Sequence, residues 1–234
     1  MKVAIFCGGI GARLAELTER VPKGLIPVGE RPILWHIMKY FASFGHTSFV
    51  LLVGYKAEQF VAYFERYGEP GWTLEFEDSG ANATKSERLL AAQGRLNGEP
   101  FFMAYGDDLS DVDLDAVRER NERTGAVVTL TAVRPANPFG IVCVTGDGRV
   151  DHFAEKIPLK DWINGGYMVA RPAIFEYLSK GELESEVFPA LAAAGLIDAH
   201  RHQGFWMSMN TLKESQELTR VWRSGNVPWL RWKD

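Results

Sequence analysis

Three glycines, an arginine and a lysine stand close together after the apolar run VAIF: GGIGARL at residues 8–14 and PKGLIP at residues 22–27. Gly8, Gly9 and Gly11 lack a Cβ, so the backbone N–H groups of such a loop can come close to a nucleotide. The guanidinium of Arg13 and the ammonium of Lys23 on the same segment would neutralise a triphosphate. Arg and Lys are ordinarily solvated surface charges. Their place on a glycine loop favours phosphate binding here. The pattern is neither the dinucleotide spacing G-x-G-x-x-G, because Leu14 stands at the third glycine, nor the P-loop G-x-x-x-x-G-K-[ST].

Two further clusters could do chemistry. In AYGDDLSD (residues 104–111) Asp107 follows an apolar run, where a carboxylate at a strand end can hold Mg²⁺ against phosphate oxygens. A plain turn, with Ser110 or Asp111 capping the next helix, is the competing reading, and Asp111 is expected to cap. In FAEKIPLKDWINGGYMV (residues 153–169) Glu155 and Lys156 end one strand, and Asn164, Gly165 and Gly166 interrupt the next. Glycines inside a strand mark the close approach of a ligand or of another backbone, and Asn and Glu suit sugar hydroxyls. An ordinary exposed Glu-Lys pair remains open. His200 and His202 lack a third metal ligand by spacing, no G-x-S-x-G elbow occurs, and Cys7 reads as a small buried residue.

Strands and helices must position these groups. Val3 to Cys7, Ser48 to Val53, Thr73 to Glu77 and Phe101 to Tyr105 read as strands. They alternate with helices opened by Pro32 and running near Lys56 to Arg66 and Ser86 to Arg95. The alternation predicts an α/β, Rossmann-like, mostly parallel sheet flanked by helices, with ligands at the carboxyl ends of the strands. In the second half, Ile141 to Thr145 and Val150 to Phe153 flank Gly146-Asp147-Gly148. That is a hairpin signal, so a small antiparallel element is expected there. One domain over 1–234 is expected, its first half (1–125) mainly for nucleotide, 126–211 mainly for sugar phosphate, and 212–234 a helix and tail. The Trp- and Arg-rich tail VWRSGNVPWLRWKD packs on the domain or on a second copy, which keeps a homo-oligomer open.

The chain has 234 residues, 46% of them hydrophobic, enough for a sizeable core, and a net charge of −4 that argues against nucleic acid as a partner. Two distant cysteines without C-x-x-C spacing suit a reducing compartment, and no run approaches a membrane span. MKVAIF is too short for a signal peptide, so a cytoplasmic, membrane-free protein is expected.

Taken together, GGIGARL, PKGLIPVGERPILWHIMKYF, EPFFMAYGDDLSDVDL, FAEKIPLKDWINGGYMV and HRHQGFWMSMNTLKE resemble the sugar-1-phosphate nucleotidyltransferases, and among them the glucose-1-phosphate cytidylyltransferases. The resemblance runs almost end to end. It implies that a nucleoside triphosphate, with CTP favoured, reacts with a sugar 1-phosphate to give a nucleotide-sugar and pyrophosphate. It further implies nucleotide contacts at Gly8, Gly9, Gly11 and Gly80, with Arg13 on the leaving pyrophosphate and Lys23 on the phosphates being joined. Asp107 falls on the metal aspartate, and Lys156 on the lysine that holds the sugar phosphate. Gly140, Glu155, Asn164 and Gly165 fall on the sugar side. Three departures stand out: MNT for MDT, which puts Asn210 at the second Mg²⁺ ligand; TKSERL for TGGRL beside the base; and a short segment between Tyr67 and Trp72. UTP, dTTP or GTP in place of CTP, and a non-catalytic nucleotide-binding regulatory subunit, are the alternatives.

Overall fold

Successive residues of the first strand feed two different cores. Val3 and Ile5 of β1 (Val3–Phe6) join one apolar cluster while Ala4 and Phe6 join another, because side chains of a strand alternate between its faces. The same alternation holds in β4 (Ser48–Val53), with Phe49, Leu51 and Val53 on one side and Val50 and Leu52 on the other. Both faces must therefore be covered by other elements. The computed structural model describes residues 1–96 and 98–232; the side chains of Arg13, Ala15, Glu16 and Lys180 also lie outside the described set.

In chain order, β1 leads through the short helix α1 (Ala15–Thr18) and the two-residue strands β2 (Pro27–Val28) and β3 (Arg31–Pro32) to α2 (Ile33–Ala42). After β4 come α3 (Ala57–Tyr67), β5 (Thr73–Asp78), α4 (Lys85–Ala91), β6 (Phe101–Tyr105), β7 (Asp108–Ser110), α5 (Leu114–Thr124) and β8 (Val128–Val133). The hairpin β9 (Ile141–Val144) and β10 (Val150–Ala154) precedes β11 (Ile163–Ala170), α6 (Phe188–Ala193), β12 (Ile197–Arg201), β13 (Trp206–Ser208) and α7 (Leu212–Arg223). Seven strands form the central sheet in the order β12-β8-β11-β6-β1-β4-β5, with β11 antiparallel to both neighbours and every other pair parallel. This is the expected mixed, mostly parallel α/β sheet.

Local chemistry explains the helix bounds. Pro32 occupies the N-cap of α2 at φ −59, the value its ring favours, and Ile33, Ile37 and Phe41 are fully buried along one face. Thr84 and Glu87 form a capping box on α4, and Thr211 and Glu214 form another on α7. The cap of α5 is Asp113, whose side chain accepts from Ala116 N at 3.1 Å, rather than the expected Asp111. Asp111 instead lies 2.9 Å from His202 Nε2. Two 3₁₀ turns, Pro172–Glu176 and Leu178–Lys180, follow β11, and a π-helical turn (Leu183–Val187) leads into α6.

The hairpin β9–β10 pairs only with itself, forming a separate two-stranded sheet. Val144 and Phe153 on it are 62% and 58% exposed. The tail folds back on its own domain. Trp229 is fully buried, the ring centroids of Trp222 and Trp229 lie 4.6 and 6.1 Å from His36, and Trp232 meets Trp35 at 5.8 Å. Among the described residues no helix is long and apolar enough to cross a membrane.

Candidate active site

Because β1, β4 and β6 run parallel, their carboxyl ends open at one sheet edge, and the antiparallel β11 brings its first residues to that same edge. A cavity of about 430 Å³ lies there, lined by Gly9, Gly11, Lys23, Asp107, Asn164 and Asn210 together with Lys85, Tyr105 and Trp206. Six of the residues singled out from the sequence thus share one cavity. Gly8, Gly80, Gly140, Glu155, Lys156 and Gly165 do not line it. Arg13 belongs to the 3₁₀ turn Ala12–Leu14, with its side chain outside the described set.

The glycines have different reasons to be glycine. A Cβ on Gly8 would stand 2.3 Å from Arg88 Nη1 and 2.6 Å from the carbonyl carbon of Val53, so the protein's own packing requires Gly8. Gly9 has open space around it, and Gly11 sits at φ +69, where a side chain is strained. Arg88 ties the loop in place. It is buried, and its guanidinium donates to the carbonyls of Val53, of Gly8 at 3.1 Å and of Ala81 at 3.3 Å, so one cation joins the turns after β1, β4 and β5. Desolvation pulls its pKa down, opposed by nearby acids. The sequence does hold a signal for it, since Arg88 shares a buried helical face with Leu89 and Ala92.

Asp107 follows β6, and its partner arrives from far along the chain. β13 pairs antiparallel with β7, with Ser208 opposite Asp108, and Met209 N donates to Asp107 O at 2.8 Å, which carries Asn210 to the acid. Lys23 Nζ then donates to Asp107 Oδ2 and, at 3.0 Å, to Asn210 Oδ1. A carboxylate and an amide oxygen therefore converge on one cationic point. Two hard oxygen donors fit a divalent ion that draws its other ligands from phosphates and water. Among the described residues no group of three or more His, Cys, Asp or Glu forms a closed metal cage. Asp108 lines the same cavity but is 3% exposed; burial first and the Asp107 charge second raise its pKa well above the ordinary carboxylate range. Burial also pushes the Cys7 thiol up, which suits a packed residue rather than a thiolate.

The far wall is built by β11. Asn164 donates Nδ2 to Tyr105 OH at 3.0 Å and accepts from Gly166 N at 3.0 Å. Gly166 has φ +77, and a Cβ there would lie 2.4 Å from Asp108 Oδ2; on Gly165 it would lie 2.8 Å from Val133. Close approach by the protein itself, not by a ligand, explains both glycines. Trp206 Nε1 donates to Gly165 O at 2.8 Å, and Trp206 lines a second cavity of about 240 Å³ with Arg134, Pro135 and Trp162. Gly140, Glu155 and Lys156 are exposed on the hairpin and its following loop, whose base is stitched by Asn137 N to Ile157 O and Leu159 N to Pro135 O. Lys156 holds φ +56, unusual for a residue with a side chain. Burial and the Glu184 carboxylate raise the Tyr105 pKa. Glu184 stands in no motif of the sequence, and Tyr105, although inside AYGDDLSD, reads there only as the end of an apolar strand.

A family model described as nucleotidyl transferase matches residues 2–222. A protein of Bacillus subtilis (strain 168) named "Probable glucose-1-phosphate cytidylyltransferase" is 34% identical over 255 aligned positions, covering 99% of this chain and 100% of that one. Glucose-1-phosphate cytidylyltransferase of Salmonella typhimurium is 33% identical over 260 positions, covering all of both chains. The fold is shared with the crystal structure of HddC from Yersinia pseudotuberculosis at a TM-score of 0.77 and 18% identity, covering 94% of this chain and 99% of that one. With the glycine loop, the Lys23–Asp107 pair and these matches agreeing along the whole length, the chain belongs to the nucleotidyl transferase family, among its sugar-1-phosphate nucleotidyltransferases.

Proposed function

We propose that the protein transfers CMP from CTP to a sugar 1-phosphate, with glucose 1-phosphate the first acceptor to test. The observation that carries this is the convergence of Lys23, Asp107 and Asn210 in the cavity whose other walls are the Gly9–Gly11 loop and Asn164. The base preference rests on the names of two full-length relatives, both cytidylyltransferases.

In this reading the nucleotide phosphates lie on the glycine loop, with Arg13 on the leaving pyrophosphate and Lys23 on the phosphates being joined. The nucleotide takes the 1–125 half, with Gly8 and Gly80 shaping its turns, and the sugar phosphate takes the 126–211 half. Lys156 and Glu155 come to the acceptor from the hairpin, with Gly140 beside them, Asn164 at the cavity wall and Gly165 behind it under Trp206. An acceptor phosphate oxygen attacks the α-phosphorus in line, forming a new P–O bond as the bond to the β-phosphate breaks and pyrophosphate leaves. Such a transfer asks the protein for alignment and charge neutralisation, and no side-chain nucleophile. Mg²⁺ held by Asp107 and Asn210 would supply charge neutralisation at the phosphates.

Pyrophosphate release from five nucleoside triphosphates against a set of sugar 1-phosphates, with product masses, tests the reading. Release with CTP and a product of CDP-sugar mass supports it. Release confined to UTP, dTTP or GTP overturns the base assignment, and tight nucleotide binding with no release anywhere overturns the transfer.

A further inference from the structure

Behind the cavity wall, one carboxylate oxygen serves two different sides of the site. Glu184, on the π-helical turn Leu183–Val187, accepts at Oε1 from Lys85 Nζ at 2.6 Å and from Tyr105 OH at 2.6 Å. Lys85 also stands over the Tyr105 ring, 4.9 Å from its centroid. Lys85, Tyr105 and Asn164 all line the cavity, while Glu184 does not.

The donor rules fix the direction of every bond in this chain. An ionised carboxylate can only accept, so the phenol must spend its single proton on Glu184. Its oxygen is then an acceptor, and Asn164 must point its NH₂ at it, as the 3.0 Å contact has it. The amide oxygen of Asn164 is thereby turned to Gly166 N, at 3.0 Å. The second N–H of Asn164 meets only Met168 Sδ, a weak acceptor at 4.0 Å, and is the donor that Asn164 can turn to an oxygen in the cavity. A group at 184 with no acceptor oxygen would release the phenol proton and, with it, the amide orientation.

We propose that Glu184 is a positioning residue for both substrates: through Tyr105 it sets Asn164 to present an N–H to an oxygen of the acceptor, and through Lys85 it holds a cation on the nucleotide side. The inference rests on the transferase reading above and names the residue that orders its two walls.

Steady-state kinetics of four variants separates the two arms. Tyr105→Phe cuts only the Asn164 arm, and we expect the acceptor KM to rise about fivefold, the size of one lost hydrogen bond, with the nucleotide KM within about twofold of wild type. Lys85→Met cuts only the other arm and should move the nucleotide KM alone. Glu184→Ala should move both, and Glu184→Gln, which keeps an acceptor oxygen in place, should fall between wild type and Glu184→Ala. Melting temperatures separate these effects from loss of fold, and Tyr105→Phe and Lys85→Met carry the test if Glu184→Ala fails to fold. An unmoved acceptor KM in Tyr105→Phe, or equal shifts of both KM values in Tyr105→Phe and Lys85→Met, overturns this inference while wild-type turnover leaves the transferase reading intact. Wild-type protein that releases no pyrophosphate from any triphosphate takes both readings down.

Discussion

Lys23 and Asp107, 84 positions apart, meet through an ion pair in which the ammonium also reaches Asn210 Oδ1 at 3.0 Å. Lys23 is thus the counter-charge of the carboxylate that would receive a divalent ion. Replacing Asn210 by Asp adds a second negative charge at that point, worth about 1 kcal/mol or more for charges roughly 4 Å apart in a solvated site. Asn210→Asp is expected to lower the half-saturating Mg²⁺ concentration about fivefold, read from a Mg²⁺ titration of turnover or from Mn²⁺ binding by electron paramagnetic resonance. An unchanged or weaker affinity would show that the amide is a tuned ligand.

Lys23→Met keeps the length of the side chain and removes its charge. It leaves Asp107 without its ammonium and the phosphates without a preorganised donor, so kcat should fall about 10²- to 10³-fold. Turnover near wild type would move the phosphate site away from this cavity.

Arg88 links the turns after three strands through the carbonyls of Val53, Gly8 and Ala81. Arg88→Ala strands two buried acceptors and a partly buried one and opens a cavity, which should cost about 3 kcal/mol in urea unfolding and raise the nucleotide KM through the loosened Gly8 turn. Gly8→Ala should act on the same contact from the other side, since its Cβ meets Arg88 Nη1 at 2.3 Å. A neutral result for both would mean that the glycine loop is held by other bonds.

These residues also mark how far the sequence could be read. Alternating apolar strands, the Pro32 helix start and the Asp-Gly hairpin all depend on neighbours within a few residues, and each is where the chain alone put it. Lys23, Asp107 and Asn164 were legible from their local setting and Asn210 only through the family resemblance, and the fold is what brings the four to one cavity. Arg88 on Gly8 spans 80 positions and Glu184 on Tyr105 spans 79, and such contacts exist only once β1, β4, β5 and β6 are side by side. Asp113 in place of Asp111 as the cap of α5 has the same origin, because Asp111 lies against His202, 91 positions on. The partner of the Trp-rich tail was likewise set by the α2 face that it covers.

His36 carries a pH dependence. It is fully buried, Nε2 lies 2.8 Å from Val28 O, and desolvation first lowers its pKa to about 4. The unfolded chain, with an ordinary histidine pKa of about 6.5, binds the proton more readily, so stability is complete above about pH 6.5 and is lost as the pH falls toward 4. His46, lowered to about 4 mainly by burial, acts in the same sense. Between pH 7.5 and 5 the wild type should lose about 2 kcal/mol through His36, and His36→Gln, which keeps a donor without titrating, should lose that much less. Parallel pH profiles for the two proteins would rule this out.

Trp229 is fully buried beside Phe205 and His36. Trp229→Ala should destabilise by about 3–5 kcal/mol. A tail that packed elsewhere would give a change within about 0.5 kcal/mol, the usual size for a surface position.

The central claim is nucleotidyl transfer in this cavity, and the fate of one labelled atom tests it most directly. CTP labelled at the α-phosphorus is incubated with glucose 1-phosphate, Mg²⁺ and the protein, and the products are separated. The account predicts that the label moves into a CDP-sugar in a one-to-one ratio with released pyrophosphate, and that Asp107→Ala abolishes the transfer. Label left in CTP, or appearing in CDP alongside free orthophosphate, would contradict it.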